Sequence, residues 1–168
     1  MSFEETLKKL KSSKEFKEFI KENKKAFLFA AFFVLNEKLE IESTQFDYCI
    51  DDKKPKVMTF ILNDEIRTEA DKFVSKEHKI EKLNENIKID IPELIRIIKK
   101  EIGKKCPDIS KIIAILQTTE NAQVWNVIVM SSSFQIFKMN IDCFSGKVLK
   151  TEEKNVMDFV NVRNKKDK

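Results

Sequence analysis

The sequence predicts an α+β fold built from two tandem helix-plus-antiparallel-meander units, and three observations carry that expectation. Residues 121–150 hold two β-rich runs joined by Ser131-Ser132-Ser133, with a Ser145-Gly146 turn leading into a third. Ile91, Leu94, Ile95, Ile98 and Ile102 recur at the spacing of one helix face. The same order, a polar-capped helix, an apolar strand and three further strands, is legible in both halves of the chain. A helix followed by an antiparallel meander places each helix against one face of its sheet.

Taken in order, Phe3, Leu7 and Leu10 fall at helical spacing, as do Phe16, Phe19 and Ile20. Ser12-Ser13 interrupts them, and Ser12 with Glu15 fits a capping box, so a short helix and a second one over 13–23 are expected. Residues 27–37 are apolar at nearly every position, the pattern of a strand covered on both faces. Residues 44–51 alternate, with Phe46, Tyr48 and Ile50 on one side. A turn signal at 51–55 precedes strands at 57–62 and 66–70. Residues 73–86 are polar and weakly periodic, a short helix or a linker. Asp90 with Glu93 fits a second capping box, Pro92 sits in the first turn, and Gly103 closes that helix. Strands are expected at 111–117, 123–130, 134–143 and 147–152. Val156, Met157, Phe159 and Val160 fit one helical turn, and disorder is expected beyond Arg163.

Residues 1–86 thus form the first unit with its N-terminal helices, 87–153 the second and 154–168 a tail, together one compact body. Phe46 and Trp125 fall at similar places in their units. Trp125, Val127 and Val129, with Phe137, Met139 and Ile141, share a side that should meet Leu94, Ile95 and Ile98. The other side carries Val124, Ile128, Met130, Phe134 and Ile136. An open antiparallel sheet usually keeps one face wet, so something must cover this one. The first unit is the nearest cover; a second subunit in a homodimer and a bound ligand are the alternatives.

Composition narrows the function classes. A chain of 168 residues with 42% hydrophobic and 36% charged residues supports a real core and a heavily solvated surface. Acids and bases interleave almost everywhere, and most of the net charge of +4 sits at the two ends, 8–25 and 163–168. Lys residues in the first of these alternate with Glu15, Glu18 and Glu22, so no phosphate-binding face is indicated and no nucleic-acid partner is expected. Enrichment in Lys, Glu and Ile fits a thermophile or an AT-rich genome equally. Cys49, Cys106 and Cys143 form neither a pair nor a cluster with His, so reduced thiols in a cytoplasmic protein are expected. The apolar run 26–35 is too short for a bilayer, which needs roughly 20 residues, and no membrane partner is expected.

Candidate chemistry is sparse. His78 is the single histidine and has no visible partner for base catalysis. Asp47, Asp51 and Asp52 cluster near a strand end, where the turn accounts for them before a metal does. Cys143 has only Lys147 nearby to activate it, so a packed, inert thiol is expected. Gly103 and Gly146 are the two glycines, which excludes the familiar glycine-rich phosphate loops. No catalytic residue, cofactor site or metal site is expected.

The helix over 91–102, Val124-Trp125-Asn126-Val127, and above all Ile141-Asp142-Cys143-Phe144-Ser145-Gly146-Lys147-Val148 resemble the PepSY domain and its cystatin-type relatives. The resemblance covers about the last third of the chain. It implies helices packed on an antiparallel sheet, and inhibitory or regulatory binding roles without catalytic residues. Members are mostly extracytoplasmic, whereas no export signal is expected for this sequence. The first expectation is therefore a non-enzymatic binding or regulatory module recognising another protein. The alternative is a carrier of an apolar small molecule in a cleft lined by Tyr48, Trp125 and Phe137. An enzyme is the third reading, and clustered carboxylates in a cleft would revive it.

Overall fold

Ser2 and Glu5 start the chain with a capping box that the sequence reading did not single out. The Ser2 hydroxyl accepts from Glu5 N–H (3.1 Å), and the Glu5 carboxylate accepts from Ser2 N–H (2.8 Å). Two otherwise orphaned donors are satisfied, and α1 (Phe3–Ser12) begins at once. The second helix, α2 (Lys14–Glu22), is capped by Ser13, whose hydroxyl accepts from Phe16 N–H (3.2 Å). The expected cap at Ser12 is wrong by one residue. Ser12 still belongs to α1 and donates its hydroxyl to the Lys8 carbonyl (2.9 Å). The third helix, α3 (Ile91–Ile102), is capped by Asp90 and stops at Gly103, as expected. Glu93 makes no capping box: it pairs with Arg96 along the helix (3.0 Å).

The computed structural model describes residues 1–51, 53, 56–71, 80–120 and 122–157. Its strands are β1 (Phe27–Leu35), β2 (Ile41–Asp51), β3 (Lys56–Leu62), β4 (Ile66–Asp71), β5 (Ile109–Thr118), β6 (Gln123–Ser131), β7 (Gln135–Asp142) and β8 (Val148–Asn155). They make one antiparallel sheet in the order β4-β3-β2-β1-β5-β6-β7-β8. Every pairing joins consecutive strands except the central seam. There β1 runs antiparallel to β5, with Ala30 opposite Gln117 and Leu35 opposite Ile112.

This topology corrects the expected cover for the second sheet face. The first half of the chain extends the sheet edge to edge and does not stack on it. The buried apolar residues of α1, α2 and α3 join one core with Phe33, Phe46, Phe60, Leu116, Trp125 and Ile141. The cross-strand pairings put those strand residues on the same side, so the helices share one face. Trp125, Val127, Val129, Phe137, Met139 and Ile141 meet Leu94 and Ile98 there, as expected.

Boundaries moved where turns intervened. The strand expected over 27–37 ends at Leu35, because the Asn36 side chain accepts from Lys38 N–H (3.0 Å) and Glu40 N–H (3.1 Å) and reverses the chain. Phe134, expected inside β7, has a φ of 64° and stands 62% exposed in the turn before it. Lys154 and Asn155, expected in the tail, belong to β8. Gly146 has a φ of 75°, and a Cβ there would lie 3.1 Å from the terminal methyls of both Ile89 and Ile97. The left-handed backbone favours glycine at that turn, and a Cβ there would also make both methyls shift by a few tenths of an ångström. Residues 73–79 of the expected helix or linker at 73–86, and the tail from residue 158, lie outside the described residues. The described part of that linker, 80–86, is neither helix nor strand. Leu83 is buried and its N–H donates to the Leu28 carbonyl (2.9 Å), and Asn84 exchanges hydrogen bonds with the Gln123 side chain (2.8 and 2.9 Å).

Candidate binding surface

On the helix-covered side, the aromatic residues divide into two ring clusters. Phe3, Phe33, Phe46 and Trp125 form one, with Phe3 and Trp125 edge to face at 6.5 Å. Phe16, Phe19, Tyr48 and Phe60 form the other, with Phe16 and Tyr48 at 5.1 Å. Such contacts add to the burial of large apolar area. The Trp125 indole donates to the Ile89 carbonyl (2.7 Å), so its polar atom is satisfied inside the core.

These clusters correct the expected ligand cleft. Tyr48, Trp125 and Phe137 are 3%, 0% and 5% exposed, and the first two sit in different clusters. Their side chains fill the space a ligand was expected to occupy. Phe137 borders a hollow of ≈ 80 Å³ beneath β7 and β8. A larger cleft of ≈ 660 Å³ opens between the starts of α1 and α3 and the β1–β2 and β3–β4 turns, where Lys9, Leu39, Asp64 and Ile95 line it. Another of ≈ 570 Å³ separates α1 from residues 85–90. The Lys11–Glu85 ion pair lies beside that second cleft.

The Tyr48 hydroxyl is buried and makes no hydrogen bond. Burial, reinforced by the charge of Glu85, holds its pKa well above the ordinary phenol range. Burial likewise pushes the Cys143 thiol up to about 11, and the side chain is packed in the core, as the sequence predicted. Cys106 is also shifted upward by burial, and all three thiols are buried. Asp142 accepts from Phe144 N–H (3.0 Å), Ser145 N–H (2.7 Å) and the Ser145 hydroxyl (3.0 Å). Those hydrogen bonds, the Ser145 amide foremost, hold its carboxyl below the usual range and fix the Ser-Gly turn.

Asp47 lies in the middle of β2, away from the turn that prompted its grouping with Asp51 and Asp52. It is buried and accepts from the Gln45 amide (2.9 Å) and the Thr59 hydroxyl (2.8 Å). Asp52 and His78 lie outside the described residues. Among the described residues, no three His, Cys, Asp or Glu side chains converge as a metal site would require. No described helix is long and apolar enough to cross a membrane.

The opposite side of the sheet is different. Its residues follow from the cross-strand partners, since directly opposed residues point the same way. One row runs Arg67, Ile61, Gln45, Phe32, Ile115, Asn126, Asn140, Lys150 across all eight strands. The next runs Ser43, Val34, Ile113, Ile128, Lys138, Glu152. Polar and charged residues thus flank an apolar strip centred on Phe32, Val34, Ile113, Ile115 and Ile128. These five are partly exposed and belong to no part of the helix-side core. The sequence marked the apolar character of this side at Ile128 and Met130. It did not reveal Phe32 and Val34, because β1 is apolar throughout and its faces cannot be told apart by alternation.

No family model matches the chain, and no curated protein matches its sequence. Among solved structures, a candidate lipoprotein from Clostridium difficile 630 shares the fold. The match has a TM-score of 0.53 at 16% identity, and covers 83% of this chain and 90% of that one. At that identity the likeness concerns the fold.

Proposed function

We propose that this chain is a non-enzymatic binding module that recognises another protein through the apolar strip on the sheet face opposite the three described helices. The observation that carries the reading is the apolar strip through Phe32, Val34, Ile113, Ile115 and Ile128. It lies between polar flanks and apart from the core beneath the helices. Contiguous exposed apolar surface on a folded domain marks interaction sites, and a polar rim around an apolar centre is how such sites are built. In this reading the architecture is two PepSY-like units joined first strand to first strand. Two copies of a four-stranded meander meeting at β1 and β5 generate the strand order found here. Trp125 and the Asp142–Gly146 turn are the features that support the likeness in the second unit.

The reading is tested by placing a photo-crosslinking amino acid at position 113 or 128 in the cells of origin, with Lys99 on the exposed side of α3 as control. Discrete crosslinked protein adducts are expected from 113 and 128 and not from 99. Equal background at all three positions refutes the reading.

A further inference from the structure

The two edge strands of the sheet carry the same charge pattern. β4 reads Arg67-Thr68-Glu69 and β8 reads Lys150-Thr151-Glu152, a base and an acid on either side of a threonine. Among the described residues, nothing pairs with the outer side of either strand. Charged residues on an edge ordinarily discourage a second strand from docking. Here the order of signs makes an edge complementary to a copy of itself. In an antiparallel pair centred on the threonine, the base of each strand faces the acid of the other, twice.

The two edges are not equivalent. β8 is interrupted by a register irregularity between the Ile141–Val148 and Asn140–Lys150 pairs, which bends an edge away from pairing. β4 pairs with β3 without interruption from Ile66 to Asp71. Arg67, Thr68, Glu69 and Ala70 are all exposed. Centring two β4 strands on Thr68 also sets Ile66 opposite Ala70, both apolar and on the helix-covered side. Centring them on Arg67 or on Glu69 sets like charges face to face. One register is favoured.

We infer that the chain forms a two-fold homodimer by antiparallel pairing of β4 with β4 of a second copy. Arg67 of each copy then faces Glu69 of the other. The interface is isologous, as a closed two-fold requires, and its backbone hydrogen bonds are those of strand addition. The inference is independent of the docking surface proposed above, because the pairing uses the sheet edge and not the apolar strip.

Sedimentation equilibrium of the full chain tests it, with variants at exposed edge positions. The wild type should be dimeric at micromolar concentration. Arg67→Glu and Glu69→Arg, each setting like charges opposite one another twice, should each weaken the dimer by roughly tenfold or more. An equimolar mixture of the two variants should dimerise again, because the reversed edges then meet with opposite signs. Recovery on mixing also shows that both variants are folded. Lys150→Glu on β8 should leave the dimer unchanged. A monomeric wild type, a mixture that fails to recover, or a loss caused by Lys150→Glu overturns the inference.

Discussion

Asp90 holds the starts of two helices at once, and its removal should cost more than a helix cap does. Its carboxylate accepts from Ile91 N–H (2.6 Å), the first amide of α3, and from Phe3 N–H (2.6 Å), the first of α1. Glu4 N–H lies at 3.4 Å from the second carboxylate oxygen. Loss of a capping side chain costs about 1 kcal/mol, and a hydrogen bond to a charged group about 1.5–3 kcal/mol. Asp90→Ala should therefore destabilise the fold by about 2–4 kcal/mol. Asp90→Asn keeps a good cap and loses the charge that two helix N-termini favour, so about 1 kcal/mol is expected. Urea unfolding followed by the fluorescence of Trp125 is a suitable assay, since the single Trp is buried against Phe3 at the start of α1. An Asp90→Ala loss of about 1 kcal/mol or less, with an unchanged urea slope, would refute the double role. Asp90 would then be an ordinary cap on α3.

Tyr48→Phe should stabilise the protein by about 1 kcal/mol, since it removes a buried hydroxyl that makes no hydrogen bond while keeping the ring among Phe16, Phe19 and Phe60; a comparable loss in urea unfolding would show that the hydroxyl has a partner. Cys143 should resist alkylation of the native protein at pH 8, because its folded pKa of about 11 lies above its ordinary value of 9.0. The sign follows from the neutral thiol being the favoured form: its contribution to stability is complete below pH 9 and fades as pH rises toward 11. Mass-resolved labelling with iodoacetamide checks both parts, and rapid native modification of Cys143 at pH 8 contradicts them.

The elements that could be read from sequence are those with a local signature. The periodicity and Gly103 stop of α3, the alternation of β2 and the Ser145-Gly146 turn each arise from a few neighbouring residues. The side on which Trp125, Val127 and Val129 lie followed from parity alone. What could not be read was set by partners distant in the chain. Asp90 touching Phe3, Leu83 bonding to Leu28, and Gln123 bonding to Asn84 have no trace in local pattern. The relation of the two halves was missed for the same reason. Continuous apolarity in β1 and β5 fits stacking and edge-to-edge pairing alike, and only the register Ala30–Gln117 distinguishes them. The aromatic trio of Tyr48, Trp125 and Phe137 was legible as apolar. Whether such residues line a cavity or fill it depends on what packs against them, here Phe3, Phe16, Phe19 and Phe33.

The seam between β1 and β5 also bears on how the chain reaches this fold. Every other strand pairing closes a short loop between neighbours in sequence, which forms early and at small entropic cost. The seam must bring Leu35 to Ile112 and Ala30 to Gln117, across the whole of β2–β4 and α3. Contacts of that separation are the slow ones in folding. Each meander is therefore expected to zip first, leaving the apolar flanks of β1 and β5 unpaired until they meet. The interval before the seam closes is the chain's most aggregation-prone moment, and the lifetime of that interval sets how much of it reaches the native state.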